Sequence, residues 1–403
     1  MEIERPYFVD IFEVEGGSVH DYAIRGSVWG DTVGHASLPV EPLPAERPLL
    51  ELGEKWQEPR GMGALNHYGL FRNVRAGKPA QDFHVDFTLK DAPDTGTRTH
   101  LFRDDATQLF LGETPALRRA GHYKDDEVYN WQMPHLIVRR KGARGLKTTF
   151  VAVCDLLQGG PKVTAVQRLK QDEGMVALEI SLAGRTDTLL YALGEPQAMS
   201  ASGVETDGKL ALVSERGGQA EACLVAGTRL RKGKVELSTK QASYRGTLVG
   251  ATRKLDGAES NAFVVDAELP VGTALRGKWL VVTHGRVAAR FGKPVKPDEQ
   301  GANGTYGTIT HAYEIDRIEK RDGKTRVHLA RDHGLRVAGN RTTEVFSMWR
   351  AYDGPETFVI HLHERLPHRG PSAKASIFTA SAGGRSGTKR RCTGPPLSAS
   401  SAQ

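Results

Sequence analysis

Strand-sized apolar runs follow one another about every ten residues, each closed by a turn that contains glycine, and this spacing constrains the fold more than any other feature. The stretches "HLIVRRKGARGLKTTFVAVCDLL" (135–157), "MVALEISLAGRTDTLLYAL" (175–193), "KLALVSERGGQAEACLVAGTRLRKGKVELST" (209–239) and "SYRGTLVGATRKLDGAESNAFVVDAEL" (243–269) all carry it. Runs of this length cannot hold a βαβ crossover, and no long amphipathic helix interrupts them. The pattern predicts an all-β chain built on a large antiparallel β-sandwich. The same reading makes hairpins of 135–157 about its Arg-Gly turn and of "YFVDIFEVEGGSVHDYAIRG" (7–26) about Gly16-Gly17.

Composition shifts divide the chain. Residues 1–268 read as the sandwich, with 39–63, rich in Pro and Glu, as a long loop and 92–99 as a turn. Residues 269–367 read as a smaller β subdomain whose last strand returns to the main sheet. From 368 onward the chain is Gly/Ser/Pro-rich, with six basic residues, no acid and almost no large apolar side chain. Such a tail cannot recover its ordering entropy by burial and is expected to be disordered. It also holds six of the seven net positive charges, leaving +1 for residues 1–367. A nearly neutral body gives no reason to expect a nucleic-acid partner.

No apolar run is long enough to span a membrane, and no charged-then-apolar leader opens this polypeptide. Cys154, Cys223 and Cys392 are odd in number and lack ligand spacing, so neither a disulfide framework nor a zinc knuckle is expected. His361 and His363 share a strand face by their spacing, but two imidazoles do not complete a metal site, and no metal or other cofactor is expected. His20 and Tyr22 likewise share a face and could form an acid/base pair; a packed tyrosine beside a turn accounts for them equally well. The segment 122–131, with His122, Tyr129 and Trp131, is an aromatic-polar loop suited to stacking on a sugar ring, or to anchoring on a core Trp. Phosphate loops, a nucleophile elbow and H-E-x-x-H are absent from the sequence.

Four stretches, "PYFVDIFEVEGGSVHDYAIRGS", "NHYGLFRNVRAG", "LFLGETPALRRAGHY" and "MPHLIVRRKGARGLKTTFVAVCDLL", resemble the C-terminal β-sheet part of heparinase II/III-like polysaccharide lyases, the group that includes oligoalginate lyases. The likeness covers residues 5–157. It implies an α/α toroid as partner, an acidic, uronate-containing polysaccharide as substrate, β-elimination as chemistry, and a secreted or periplasmic setting. The family's His-x-His-Ala-Asp-like and His-Asn-Thr stretches lie upstream of the "YFVDIF" strand and do not occur here, and Arg25 stands where the family has the last histidine of "HDYxxHG". The expectation is therefore a lyase module that begins inside its sandwich and is inactive without its N-terminal part; a non-catalytic carbohydrate-binding or structural β-protein is the alternative. Substrate contacts would fall to His20, Tyr22, Arg103, His122, Trp131 and Arg139, with Arg118, Arg119 and Arg140 as further cations placed to meet a carboxylate, and the 122–131 loop and His20/Tyr22 at one concave face. The catalytic residues themselves are not assigned.

Limited proteolysis should trim the residues after about 380 first, and a chain truncated there should keep its melting temperature. A marked drop in that temperature would show that the tail packs.

Overall fold

The computed structural model describes residues 7–27, 31–44, 46, 48–50, 67–116, 130–296, 308–346 and 349–366. Among these there is no α-helix; antiparallel sheets account for nearly all regular structure, so the protein is all-β. The tail beyond 366, the segment 51–63 and His122 lie outside the described residues. The chain divides into two compact units, one formed by the residues up to Tyr244 together with those from His361, the other by Arg245–Ile360.

The first unit is a stack of sheets whose order follows from which strands are apolar on both faces. Sheet I orders Tyr7–Glu15, Lys147–Gln158, Thr95–Leu101, Phe83–Leu89 and Thr32–Ala36. Sheet II orders Val19–Arg25, Gln132–Lys141, Thr107–Pro115, Arg72–Gly77 and Glu41–Pro42. Sheet III has six strands, Val163–Gln171, Met175–Leu182, Arg185–Ala192, Leu210–Arg216, Gln219–Val225 and His363–Leu366. Sheet IV has four, Met199–Ala201, Val204–Thr206, Arg229–Lys232 and Val235–Ser238. Phe150, Ala152 and Cys154 of Lys147–Gln158 pack with Tyr22, Leu109, Leu136 and Val138 of sheet II. Their alternates Val151 and Val153 pack on Val176, Leu178 and Ile180 of sheet III. In turn Met175 and Ala177 face Val204 and Leu230 of sheet IV. The layers therefore run II, I, III, IV.

A buried aliphatic or Phe side chain contributes roughly 1.5–3 kcal/mol. Exposing Val151, Val153, Val176, Leu178 and Ile180 together would cost on the order of 10 kcal/mol, comparable with the net stability of a whole domain. Sheets I and III are not separable.

The two expected hairpins at 7–26 and 135–157 are not hairpins. Tyr7–Glu15 pairs with Lys147–Gln158 in sheet I, whereas Val19–Arg25 pairs with Gln132–Lys141 in sheet II. Each glycine turn carries the chain from one sheet across to the other. The two crossings lie side by side, Gly16 N donating to Leu146 O at 2.9 Å and Gly145 N to Gly17 O at 2.7 Å. Gly16 and Gly17 have φ of 103° and 63°, which an L side chain rarely adopts. The 175–193 stretch is a hairpin, with Met175 opposite Ala192. The turn expected at 92–99 is shorter, since the strand already begins at Thr95.

The second unit contains a closed six-stranded barrel in the order Ser243–Thr252, Ala262–Val265, Lys324–Leu329, Thr310–Arg321, Trp279–Thr283 and Thr357–His361. Two of its strands thus come from residues that the sequence reading assigns to the sandwich. A five-stranded sheet accompanies it, Lys293–Pro294, Arg286–Arg290, Ala351–Asp353, Arg341–Glu344 and Leu335–Ala338. The returning strand is His363–Leu366, which pairs with Gln219–Val225 of sheet III.

Two histidines of the first unit are held neutral by their surroundings. Burial, followed by the charges of His84 and Arg98, lowers His100 from 6.5 to about 4. Burial and the Arg25 charge do the same to His135. His100 Nε2 is buried with no hydrogen-bond partner, so a proton arriving there finds no acceptor. Below pH 6.5 the unfolded chain binds more protons at these sites than the folded one, so stability is lost as pH falls from about 6.5 towards about 4. Urea midpoints measured across that range should decline with acid, and His100→Gln should flatten the decline; a flat wild-type profile would contradict this account.

Candidate functional site

Adjacent arginines on the strand Gln132–Lys141 project to opposite faces of sheet II, and this alternation sorts the candidate residues. Asp21 lies opposite Arg139 and His20 opposite Arg140 in the register with Val19–Arg25. Arg139 meets Asp21 in a bidentate pair at 2.8 and 2.7 Å. The Tyr68 hydroxyl donates to the same carboxylate. The guanidinium lies 5.4 Å from the Tyr68 ring centroid and 5.3 Å from that of Phe110. Burial, then Asp21, raises the Tyr68 hydroxyl to about 12.

His20 and Tyr22 face the other way, into the sandwich. His20 is buried; its Nε2 donates to Gly16 O at 2.5 Å, and its Nδ1 lies 2.9 Å from Thr148 Oγ1. Tyr22 stacks on Phe150 with centroids 5.5 Å apart and donates to Asp10 Oδ2 at 2.7 Å. Burial, then the Asp10 charge, pushes its hydroxyl far above the ordinary phenol range. Trp131 is half-buried, and its carbonyl accepts from Ala116 N at 2.8 Å. His122, Arg118, Arg119 and Tyr129 lie outside the described residues. His361 ends a barrel strand and His363 begins the strand that joins sheet III. No group of three or more His, Cys, Asp or Glu with metal-holding geometry occurs among the described residues.

Arg140 instead lies beside Asp104, which with Arg168, Leu169, Lys170 and Gln171 lines a surface groove of about 370 Å³. The groove owes its shape to a bulge. Val163–Gln171 is the edge strand of sheet III, and its pairing with Met175–Leu182 slips between Arg168 and Lys170. Residues 168 and 171 would face opposite ways on a regular strand. With the extra residue, Arg168 lies opposite Leu178 and Gln171 opposite Val176, so both share one face. Arg168 NH1 donates to Gln171 Oε1 at 3.0 Å and NH2 to Arg103 O at 2.8 Å. Its guanidinium lies 5.2 Å from the Phe102 ring centroid. Gln171 Nε2 and Arg140 NH1 both donate to Thr149 O, at 3.1 Å each. Arg140 NH1 is 3.6 Å from Asp104 Oδ2. The Arg103 guanidinium pairs with Asp105, and its backbone N–H donates to Asp82.

A second polar constellation, in the other unit, was not anticipated from the sequence. His284 Nδ1 lies 2.5 Å from Glu356 Oε2, and His284 Nε2 lies 2.6 Å from His311 Nδ1. Tyr352 stacks on His284 with centroids 4.2 Å apart and donates to Glu344, which also accepts from Arg350 at 3.3 Å. Burial, then His284, lowers the pKa of His311. No local spacing joins residues spread from 284 to 356; strand pairings such as Val282 with His311 and Thr283 with Thr357 bring them together.

No family model matches the chain, and no curated protein matches it.

Removing one partner of a nearly buried ion pair leaves the other charge stranded. Asp21→Ala should lower unfolding free energy by on the order of 3 kcal/mol, and the double variant Asp21→Leu/Arg139→Met by clearly less than the two single changes added together. Additive urea-melt values would mean that the pair is not coupled.

Proposed function

We propose that the chain is the β module of a polysaccharide lyase for uronate-containing acidic polysaccharide, and that it holds glycan without supplying the base for β-elimination. That reaction needs a base for the proton α to the carboxylate, a donor that neutralises the carboxylate, and an acid for the leaving oxygen. The lyase assignment rests on the resemblance of residues 5–157. In its favour, those residues fold into two antiparallel sheets packed face to face, the architecture that the resemblance implies for them.

The observation that carries the division of labour is the commitment of His20 and Tyr22. They are the pair that the sequence offers as acid and base in that stretch, and both are sealed into the sandwich by Gly16, Thr148 and Asp10. A base whose ring nitrogens are both engaged cannot reach a sugar C–H. The proton-transfer groups must then come from the α/α toroid that the resemblance implies as partner.

Incubated with alginate, heparin, heparan sulfate or hyaluronan, the isolated chain should yield no ultraviolet absorbance from unsaturated uronate. Steady product from any of them would overturn the non-catalytic role.

A further inference from the structure

We infer that the groove at the bulged edge of sheet III binds the carboxylate of an acidic saccharide, with Arg168 and Lys170 as its cationic contacts and Asp104 and Gln171 as partners for sugar hydroxyls. The inference rests on the proposed glycan-holding role and gives it a location.

Charge balance is the first argument. Arg168 donates to two neutral acceptors, Gln171 Oε1 and Arg103 O, and forms no ion pair among the described residues. Arg140 is buried, and its one carboxylate neighbour among the described residues is Asp104 at 3.6 Å, a side chain that is 46% exposed. Of the two guanidiniums, Arg140 thus has one half-exposed carboxylate beside it and Arg168 has neutral acceptors only. Burial lowers the basicity of the Arg140 guanidinium, the Asp104 charge restores part of it, and the Arg168 charge, a smaller effect, lowers it again. The Arg140 Nε is buried without an acceptor. Lys170 lies 3.0 Å from Asp172 with both side chains about half exposed, a weak pair that leaves the ammonium open to a second anion. An incoming carboxylate would relieve the repulsion between the two arginines, and a guanidinium forms its strongest paired hydrogen bonds with such a group.

The bulge is the second argument. A regular edge strand would turn either Arg168, which holds the Arg103 carbonyl, or Gln171, which holds the Thr149 carbonyl, to this face, not both. The slip places both side chains on one wall, and the Thr149 carbonyl fixes Gln171 and Arg140 from behind. The groove is therefore preformed. Lining of Arg, Lys, Asp and Gln suits a ligand with one negative charge and several hydroxyls better than it suits a simple polyanion, because Asp104 would repel a second negative charge.

The alternative role for Arg168 is mechanical: it stacks on Phe102 and holds the Arg103 carbonyl. Binding of alginate and hyaluronan oligosaccharides, of free glucuronate and of sulfate to the full chain, measured by calorimetry with melting temperatures alongside, separates the roles. Arg168→Gln should weaken wild-type oligosaccharide affinity about tenfold, and Lys170→Gln, a change at an exposed side chain, about threefold, with Lys320→Gln in the other unit as an unaffected control. Added salt should weaken wild-type binding more than that of Arg168→Gln. Oligosaccharide binding that both groove variants leave intact would overturn the groove while leaving the proposed function standing. Binding of glucuronate or sulfate that depends on Arg168, without oligosaccharide binding, would keep the groove as an anion site and end the polysaccharide reading. No binding by any probe would overturn both. Should Arg168→Gln melt early, Lys170→Gln and the salt series decide alone.

Discussion

Burial of both faces of Lys147–Gln158 is the constraint on which the first unit depends. Its burial pattern is nearly continuous from Phe150 to Asp155, with alternate side chains serving two different cores. A strand of this kind is stable only with a sheet on either side, and Met175–Leu182 repeats the demand one layer further out. Two internal layers need two outer ones. The outer sheets can alternate: Phe110 and Ile137 on the outer face of sheet II pack with Leu49, Phe71 and Val74, so a smaller satellite core suffices there.

Polar groups at the I–III junction fix the alignment that apolar packing leaves open. Asp155 and Asp187 are both fully buried. Asp155 Oδ2 accepts from Lys162 N and Val163 N at 2.8 and 2.9 Å, which ties the end of Lys147–Gln158 to the start of the first strand of sheet III. Asp187 accepts from the Tyr7 hydroxyl across the same junction and lies 3.1 Å from Arg185. A buried carboxylate is costly unless hydrogen-bonded, so each favours an arrangement of sheets that brings donors to its Oδ2. Hydrophobic layers supply the stability; these carboxylates select the register.

The sequence conveyed the all-β class because period-2 alternation and glycine turns are local properties. It also conveyed the 175–193 hairpin, whose strands pair with each other. It misled at 7–26 and 135–157 because a glycine turn between two apolar strands looks the same whether the chain folds back in its own sheet or crosses to the next. What distinguishes them is the continuous apolar character of "FVAVCDLL", a sign that both faces are covered. The barrel boundary was hidden for a related reason: Ser243–Thr252 runs from residues grouped with the first unit into the barrel as one unbroken strand.

The groove was illegible for a different reason. Asp104 comes from one turn and Arg168 and Gln171 from a strand much later in the chain, and these last two belong to one wall only because of a bulge that no periodicity announces. Arg139 and Arg140 show the same effect in reverse. As a dipeptide they look like one basic patch, yet strand alternation sends Arg139 to a bidentate pair with Asp21 and Arg140 to a looser contact, 3.6 Å from Asp104. Paired, Arg139 can only stabilise. Arg168, donating to neutral acceptors at the irregular edge of sheet III, keeps an attraction for an anion that the paired Arg139 has lost.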